Sequence, residues 1–217
     1  MMMSHSKNTW LAKTLLGGVC LGLFLATTSC LAYDVVRVEE HWELSVGGPD
    51  EGRCAPQVSM VMSPTGDLNG NYFIFSLNHW SAPEFAEGGL EVQRWKGDGV
   101  VSSHRSSNHS PLRVDGEKVS WVQAIEISES QLRFSIESGQ SQTWGTFGGE
   151  GLLKSSYATE LTRLNDYKPN ISLSGSGIGY AGNRVSSLTL MKLVWWSAAG
   201  DRYEMIAPID IDSDIDP

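Results

Sequence analysis

The chain has 217 residues, of which 41% are hydrophobic, and its 25 acidic and 16 basic side chains give a formal net charge of −9. This charge argues against a nucleic-acid partner, because affinity for nucleic acid depends largely on lysine and arginine contacts to phosphates. The length suits one domain that buries about 70% of the surface of its unfolded chain. The composition shows no linker that would divide the chain.

Residues 1–32 have the layout of a secretory signal peptide. Two lysines give a positive start, an apolar run follows from Leu15 to Thr27, and Cys30-Leu31-Ala32 has the small residues of a cleavage site. The apolar run is shorter than the about 20 residues that a spanning helix needs, so we expect no membrane span after cleavage. We predict an exported protein, located in the periplasm, on the cell surface or outside the cell. A lipoprotein, modified at Cys30, is the alternative.

After this cleavage site the chain keeps one cysteine, Cys54, so it cannot form an intramolecular disulfide. We predict one folded domain over residues 33–206 and an acidic tail over residues 207–217, whose spaced aspartates are typical of a solvated chain end. Neither the tail nor the pair His104 and His109 has the ligand set of a metal site. We expect no metal and no other cofactor.

Short β-rich runs separated by glycine and proline turns predict an all-β fold, an antiparallel two-sheet β-sandwich with little or no helix. In chain order, the first four strands are predicted at Val35–Val46, Gln57–Met62, Asn71–Leu77 and Leu90–Trp95. The polar segment Ser102–Pro111 is predicted to be a mobile loop, because its serine, asparagine and histidine residues give no apolar face.

The second half of the chain begins with a predicted hairpin. Its first strand is Lys118–Ile127, and its second, from Gln131, alternates cleanly with Leu132, Phe134 and Ile136 on the buried face. Closely spaced glycines then indicate close approach of the backbone between Gly139 and Leu153. Residues 152–165 fit either a helix or a strand, and the all-β setting favours a strand for their second half.

A second hairpin is predicted over Asn170–Ser197, with its turn at residues 180–184, and a final strand follows at Asp201–Ile206. The last limb of this hairpin is apolar on both faces, which is typical of an interior strand. We therefore predict that residues 188–196 are buried on both sides.

The sequence carries none of three common enzyme motifs. It lacks the Gly-x-Ser-x-Gly elbow of serine hydrolases, the His-Glu-x-x-His of zinc peptidases and a phosphate-binding loop ending in Lys-Ser or Lys-Thr. Two carboxylate pairs fall in or beside predicted strands. Glu39 and Glu40 must face opposite ways, and Glu126 and Glu129 have an odd spacing, so we interpret both pairs as solvated charges.

Aromatic residues outside regular strands are the candidate ligand contacts. Trp80 lies in a polar loop, Trp144 in a glycine-rich segment and Tyr180 at the predicted turn. A flat amphipathic ligand can stack on such side chains. We predict binding roles for these three residues, with the clamping of loops as the alternative, and we place Trp42 and Trp121 in the core.

Three short segments, Gly88–Trp95, Gly177–Tyr180 and Leu188–Leu190, stand in a strand layout that resembles the concanavalin A-like lectin/glucanase jelly roll over most of residues 35–205. The resemblance implies a carbohydrate ligand on a concave sheet face. Hydrolases of its laminarinase branch carry Glu-x-Asp-x-x-Glu, whereas this chain has Glu-Ile-Ser-Glu at residues 126–129. The resemblance therefore favours binding over catalysis.

From these observations we predict an exported, non-catalytic domain that binds glycan or another cell-surface ligand. Two alternatives stay open. One is a structural or protein-interaction domain of the cell envelope, and the other is a glycoside hydrolase.

Overall fold

The computed structural model describes residues 33–48, 56–78, 89–106, 110, 112–179 and 184–212. Within these ranges the chain forms twelve strands and one short helix, arranged as two antiparallel sheets. This arrangement confirms the predicted all-β sandwich. The predicted signal peptide, Cys30, Cys54, Trp80, His109, Tyr180 and the last residues of the acidic tail lie outside the described ranges.

The first sheet has seven strands, ordered β12-β11-β1-β6-β7-β8, with β9 also paired to β7. Their bounds are β1 Val35–Val46, β6 Glu117–Ser128, β7 Gln131–Ser141, β8 Gly145–Phe147, β9 Lys154–Ala158, β11 Val185–Ser197 and β12 Arg202–Asp210.

The second sheet has five strands, ordered β10-β2-β3-β4-β5. Their bounds are β2 Gln57–Met62, β3 Asn71–Leu77, β4 Leu90–Lys96, β5 Gly99–Arg105 and β10 Gly177–Gly179. Helix α1, Pro169–Gly175, precedes β10 and packs against β2. No helix within the described ranges is long and apolar enough to cross a membrane.

The core lies between the two sheets and contains large aromatic side chains from both. Phe73 of β3 stacks on Phe134 of β7 with ring centroids 4.8 Å apart, and Phe75 meets the ring of Trp121 of β6 edge-on at 5.9 Å. Aromatic pairs favour both geometries, so they add a specific contact to the burial of apolar surface. Trp42 is also buried, as predicted.

The β6–β7 hairpin is confirmed. Its turn residues Glu129 and Ser130 both have positive φ, 51° and 59°, as in the two-residue turns whose twist matches that of paired strands. Leu132, Phe134 and Ile136 are all fully buried.

The hairpin predicted over Asn170–Ser197 is wrong. Pro169 stands in the first turn of α1, where a proline is well tolerated, and the chain then forms β10. Strand β10 pairs with β2 in the second sheet, whereas β11 pairs with β1 and β12 in the first. The two limbs therefore belong to different sheets.

Strand β11 is an interior strand, but the predicted burial of both its faces holds only in part. Its pairing shifts register between Leu190 and Lys192, so Leu193 faces the core in line with Leu190. Met191, at this irregularity, is 39% exposed. Trp195 and Trp196 are half-buried.

Three other segments differ from or refine the sequence-based expectations. Strand β9 covers the first half of residues 152–165 rather than the second, and that segment contains no helix. Strand β5 includes Ser102–Arg105, the start of the predicted loop. Strand β12 continues to Asp210, whose carboxylate accepts a hydrogen bond from the backbone N–H of Leu188.

The predicted close approach of glycines is confirmed at two positions. A Cβ at Gly139 would overlap the ring of Phe147, and a Cβ at Gly148 would overlap the carbonyl of Ile136. Gly148 also has a φ of +87°, which side chains rarely adopt.

Candidate functional site

Strand β1 separates two polar clusters because successive side chains point to opposite faces of the sheet. Glu40, Trp42 and Leu44 point inward and are buried, whereas Glu39 and His41 point to the outer face. The opposite orientation of Glu39 and Glu40 confirms the sequence-based expectation. Their interpretation as solvated charges is wrong, because the Glu39 side chain is 13% exposed and Glu40 is 0% exposed.

The antiparallel register arranges the outer-face side chains in three rows across the seven-stranded sheet. The first row contains Lys192, His41, Val122 and Glu137. The middle row contains Glu204, Val194, Glu39, Ala124 and Ser135. The third row contains Arg202, Trp196, Arg37, Glu126 and Arg133.

Arg37 joins carboxylates from all three rows. Its Nη2 lies 2.7 Å from Oε1 of Glu39 and 2.8 Å from Oε2 of Glu137, and its Nη1 lies 3.0 Å from Oε2 of Glu126. The guanidinium reaches diagonally across the middle row, where Ala124 is buried. A planar fork of N–H donors suits this contact to several carboxylates.

Glu39 also contacts an imidazole. Its Oε2 lies 3.1 Å from Nε2 of His41. Burial alone would raise the pKa of the Glu39 carboxyl, but the hydrogen bonds from His41 and Arg37 and the charge of Arg37 lower this pKa below its ordinary value. Burial likewise disfavours the charge of Arg37, and its hydrogen bonds and charge contacts with Glu39 and Glu137 reverse that effect and raise the pKa of Arg37. Glu39 therefore stays ionised beside His41.

The third row ends in a stacked group. The guanidinium of Arg37 lies 5.4 Å from the ring centroid of Trp196, and that of Arg202 lies 5.8 Å from the same ring. At the other end of the row, Arg133 lies 2.6 Å from Glu126. The Arg37 guanidinium therefore contacts the ring of Trp196 in addition to its carboxylate partners.

The inner cluster is built around Glu40. One carboxyl oxygen accepts hydrogen bonds from the indole of Trp42, at 3.0 Å, and from the amide of Gln123, and the other accepts one from the hydroxyl of Tyr167. Burial raises the pKa of Glu40, and these hydrogen bonds oppose the rise without cancelling it. Burial and the adjacent Glu40 raise the pKa of Tyr167 well above its ordinary value.

Of the three predicted ligand contacts, Trp144 is the one that lies within the described residues. Trp144 is only 7% exposed, its ring packs edge-on against Phe147, and its N–H donates to the carbonyl oxygen of Ser110 at 2.7 Å. The Trp144 side chain is therefore buried, and the binding role assigned to it stays a prediction. Trp80 and Tyr180 lie outside the described residues, and their roles stay predictions.

Sequence reasoning missed the outer cluster. The alternation of Arg37, Glu39 and His41 on one face of a strand was the available signal. The partner Glu137 comes 98 positions after Glu39, and only the register of β1 with β6 and of β6 with β7 brings it to Arg37.

No protein-family model matches the chain, and no curated protein matches it. Among solved structures, the chain is similar to SCP-B, a member of the Eqolisin family of peptidases in a complex with the tripeptide Ala-Ile-His, at 12% identity over 81% of each chain, with a TM-score of 0.32. It is also similar to Scytalido-glutamic peptidase with a peptide-based transition state analog. That match has 10% identity over 81% of this chain and 82% of the other, with a TM-score of 0.32.

The comparison contradicts the prediction of a non-catalytic domain that binds glycan or another cell-surface ligand. The two matched structures are peptidases, not lectins, envelope interaction domains or glycoside hydrolases. A TM-score of this size does not establish an activity for the present chain.

Proposed function

We propose that the outer face of the seven-stranded sheet is a hydrolytic site in which Glu39 and His41 act as an acid–base couple. The observation that carries the proposal is the 3.1 Å contact between Oε2 of Glu39 and Nε2 of His41. A base oriented by a third group is the usual arrangement for activating a nucleophile, and Arg37 provides that third group by holding Glu39 ionised.

The charge of Glu39 fixes the role of each imidazole nitrogen. An ionised carboxylate only accepts hydrogen bonds, so Nε2 of His41 carries a proton, and in the neutral imidazole Nδ1 then presents a lone pair. Nδ1 can take a proton from a water molecule as the water oxygen bonds to a substrate carbonyl carbon. When the bond from that carbon to the leaving nitrogen or oxygen breaks, the same proton passes to the leaving group.

Lys192 is placed to stabilise the charge that this step creates. It lies directly opposite His41 on the neighbouring strand, and its Nζ is 3.6 Å from Glu204. A cation next to the base can balance the negative charge that develops on a carbonyl oxygen during attack. The reaction class is therefore hydrolysis of an amide or ester bond by water.

Peptides are the first substrates to try, because the two matched structures contain a tripeptide and a peptide-based analog. The purified protein would be incubated with fluorogenic peptide libraries and with simple esters between pH 4 and pH 8. We expect cleavage that falls by at least about 100-fold in kcat in Glu39→Gln and in His41→Gln, the range typical of a lost general base.

Glu43→Gln is the matched control. Glu43 occupies the next outward position of β1 and lies 2.8 Å from Nζ of Lys118, away from the contacts of Arg37. We expect its kcat to stay at the wild-type level. Cleavage that survives in both Glu39→Gln and His41→Gln, or no cleavage of any peptide or ester by the wild-type protein, would refute the proposal.

A further inference from the structure

Residues 159–176, here called the strap, connect β9 of the first sheet with β10 of the second and contain α1. Two hydrogen bonds to the backbone of Val35 hold the strap along the start of β1. The N–H of Leu164 donates to the carbonyl of Val35 at 2.7 Å, and the N–H of Val35 donates to Oδ1 of Asn165 at 2.9 Å. The side chain of Leu164 is buried in the core.

The strap also has a polar contact inside the sandwich. The hydroxyl of Tyr167 donates to Glu40, and the hydroxyl of Ser172 faces the same carboxyl without completing a hydrogen bond of normal geometry. Trp42 of β1 and Gln123 of β6 donate to the other oxygen of Glu40. A single carboxyl therefore links β1, β6 and the strap.

The groups around Glu40 contribute no compensating charge. Its three hydrogen-bond donors are a phenol, an indole and an amide, and the residue opposite it on β11 is Leu193. Arg37 and Glu39 are near in the chain, but they lie on the other face of the sheet. Of the three side chains that donate hydrogen bonds to Glu40, Tyr167 is the titratable one.

We propose that the strap is an acid-stabilised closure, seated on the core while Glu40 holds its proton and released more often when that proton is lost. The physical reason is the cost of burying a charge without a counterion. The phenol of Tyr167 remains a neutral donor throughout, because burial and the adjacent carboxyl keep its pKa well above the ordinary value of 10.0. The proposal does not depend on the hydrolytic role of the outer face.

The direction of the pH dependence follows from proton linkage. Burial raises the pKa of Glu40 above its ordinary value of 4.5 in the closed state, whereas opening returns the group to water. Between the two pKa values the closed state binds more protons than the open state. The closed state is therefore fully favoured below pH 4.5 and loses stability as the pH rises through the raised pKa.

Hydrogen–deuterium exchange of the full chain between pH 4 and pH 8 tests this closure. Protection factors, which correct for the intrinsic pH dependence of exchange, would be compared between strap amides and amides of β3. We expect strap protection to fall by up to about tenfold per pH unit above the ordinary range of a carboxyl, since one proton is released. Protection of β3 should not follow this slope.

Two variants distinguish the effect of the Glu40 proton on strap protection from the effect of the contact with Tyr167. Glu40→Gln keeps a buried acceptor but has no proton to lose, so its strap protection should not vary with pH. Tyr167→Phe removes the donor and should lower strap protection at pH 5 by about fivefold, the value of one hydrogen bond.

Carbon-13 NMR titration of the wild-type carboxyl groups gives an answer even if Glu40→Gln does not fold. The Glu40 signal should titrate at higher pH than the other glutamates and together with strap exchange. Constant strap protection from pH 4 to pH 8, an unchanged slope in Glu40→Gln, or titration of Glu40 alongside the exposed glutamates would overturn the proposal.

Discussion

Glu39 and Glu40 are adjacent in the chain, yet on the two faces of the sheet their pKa values shift in opposite directions. On the outer face, Arg37 and His41 lower the pKa of Glu39, so its charge is kept. On the inner face, burial raises the pKa of Glu40 against three hydrogen bonds, so its proton is favoured. The neighbouring cation favours the ionised form of Glu39, whereas the exclusion of water favours the protonated form of Glu40.

The difference teaches that a strand can carry two unrelated electrostatic sites without any change in its backbone. The two groups also have opposite linkage. Stability from Glu39 is present above its ordinary pKa of 4.5 and is lost as the pH falls through its lowered pKa. Stability from protonated Glu40 is present below pH 4.5 and is lost as the pH rises through its raised pKa.

The largest expected effect comes from removing the inner carboxyl. Glu40→Ala should lower the free energy of unfolding by about 4 kcal/mol, because Trp42, Gln123 and Tyr167 lose a buried acceptor and a cavity remains. Urea-induced unfolding followed by tryptophan fluorescence measures this loss. A cost below about 1 kcal/mol would show that the inner cluster is not a tightly coupled unit.

Removing the cation of the outer face should have an intermediate effect. Arg37→Met leaves Glu39, Glu126 and Glu137 close together without their shared partner, and we expect a loss of about 2 kcal/mol at pH 7. The loss should shrink as the pH falls through the lowered pKa of Glu39, because protonation removes the charge that Arg37 stabilises. Urea unfolding at pH 7 and pH 4 checks this, and an equal loss at both values would argue against an electrostatic origin.

The smallest effect is expected at the edge of the outer cluster. Glu43 pairs with Lys118 at 2.8 Å, but the lysine side chain is 68% exposed. Glu43→Gln should therefore change the free energy of unfolding by less than about 0.5 kcal/mol. A thermal unfolding midpoint that moves by more than a few degrees would place Glu43 inside the coupled network.

The sequence alone predicts most strands and the two-sheet class, because alternation and turn residues are local signals. It also predicts that Glu39 and Glu40 face opposite ways, since this needs only the period of a strand. It does not predict which carboxylates meet across strands, and Glu137 was missed for that reason. Register depends on the packing of whole faces and cannot be read from one segment.

Other features that the local sequence does not reveal also depend on distant contacts. Trp144 has glycine-rich neighbours in the chain, but Ser110 and Phe147 bury it through tertiary packing. The hairpin expected over Asn170–Ser197 is replaced because β2 offers a partner to β10 that the local sequence does not reveal. The local sequence pattern therefore predicts the individual strands, whereas long-range pairing determines which strands are neighbours in a sheet.

The position of β1 in the first sheet has a consequence for folding. Val35 pairs with Ser197 on one side of β1, and Arg37 pairs with Glu126 on the other. Both edges of β1 therefore pair with residues that lie far along the chain. Closing such long loops costs chain entropy before any contact free energy compensates for it, and folding rates fall as contacts become less local. We infer that during synthesis one edge of β1 stays unpaired until β6 has emerged and the other until β11 has emerged. The strand that carries both glutamates is thus among the first to be made, yet it is among the last to have both edges paired and so protected from aggregation.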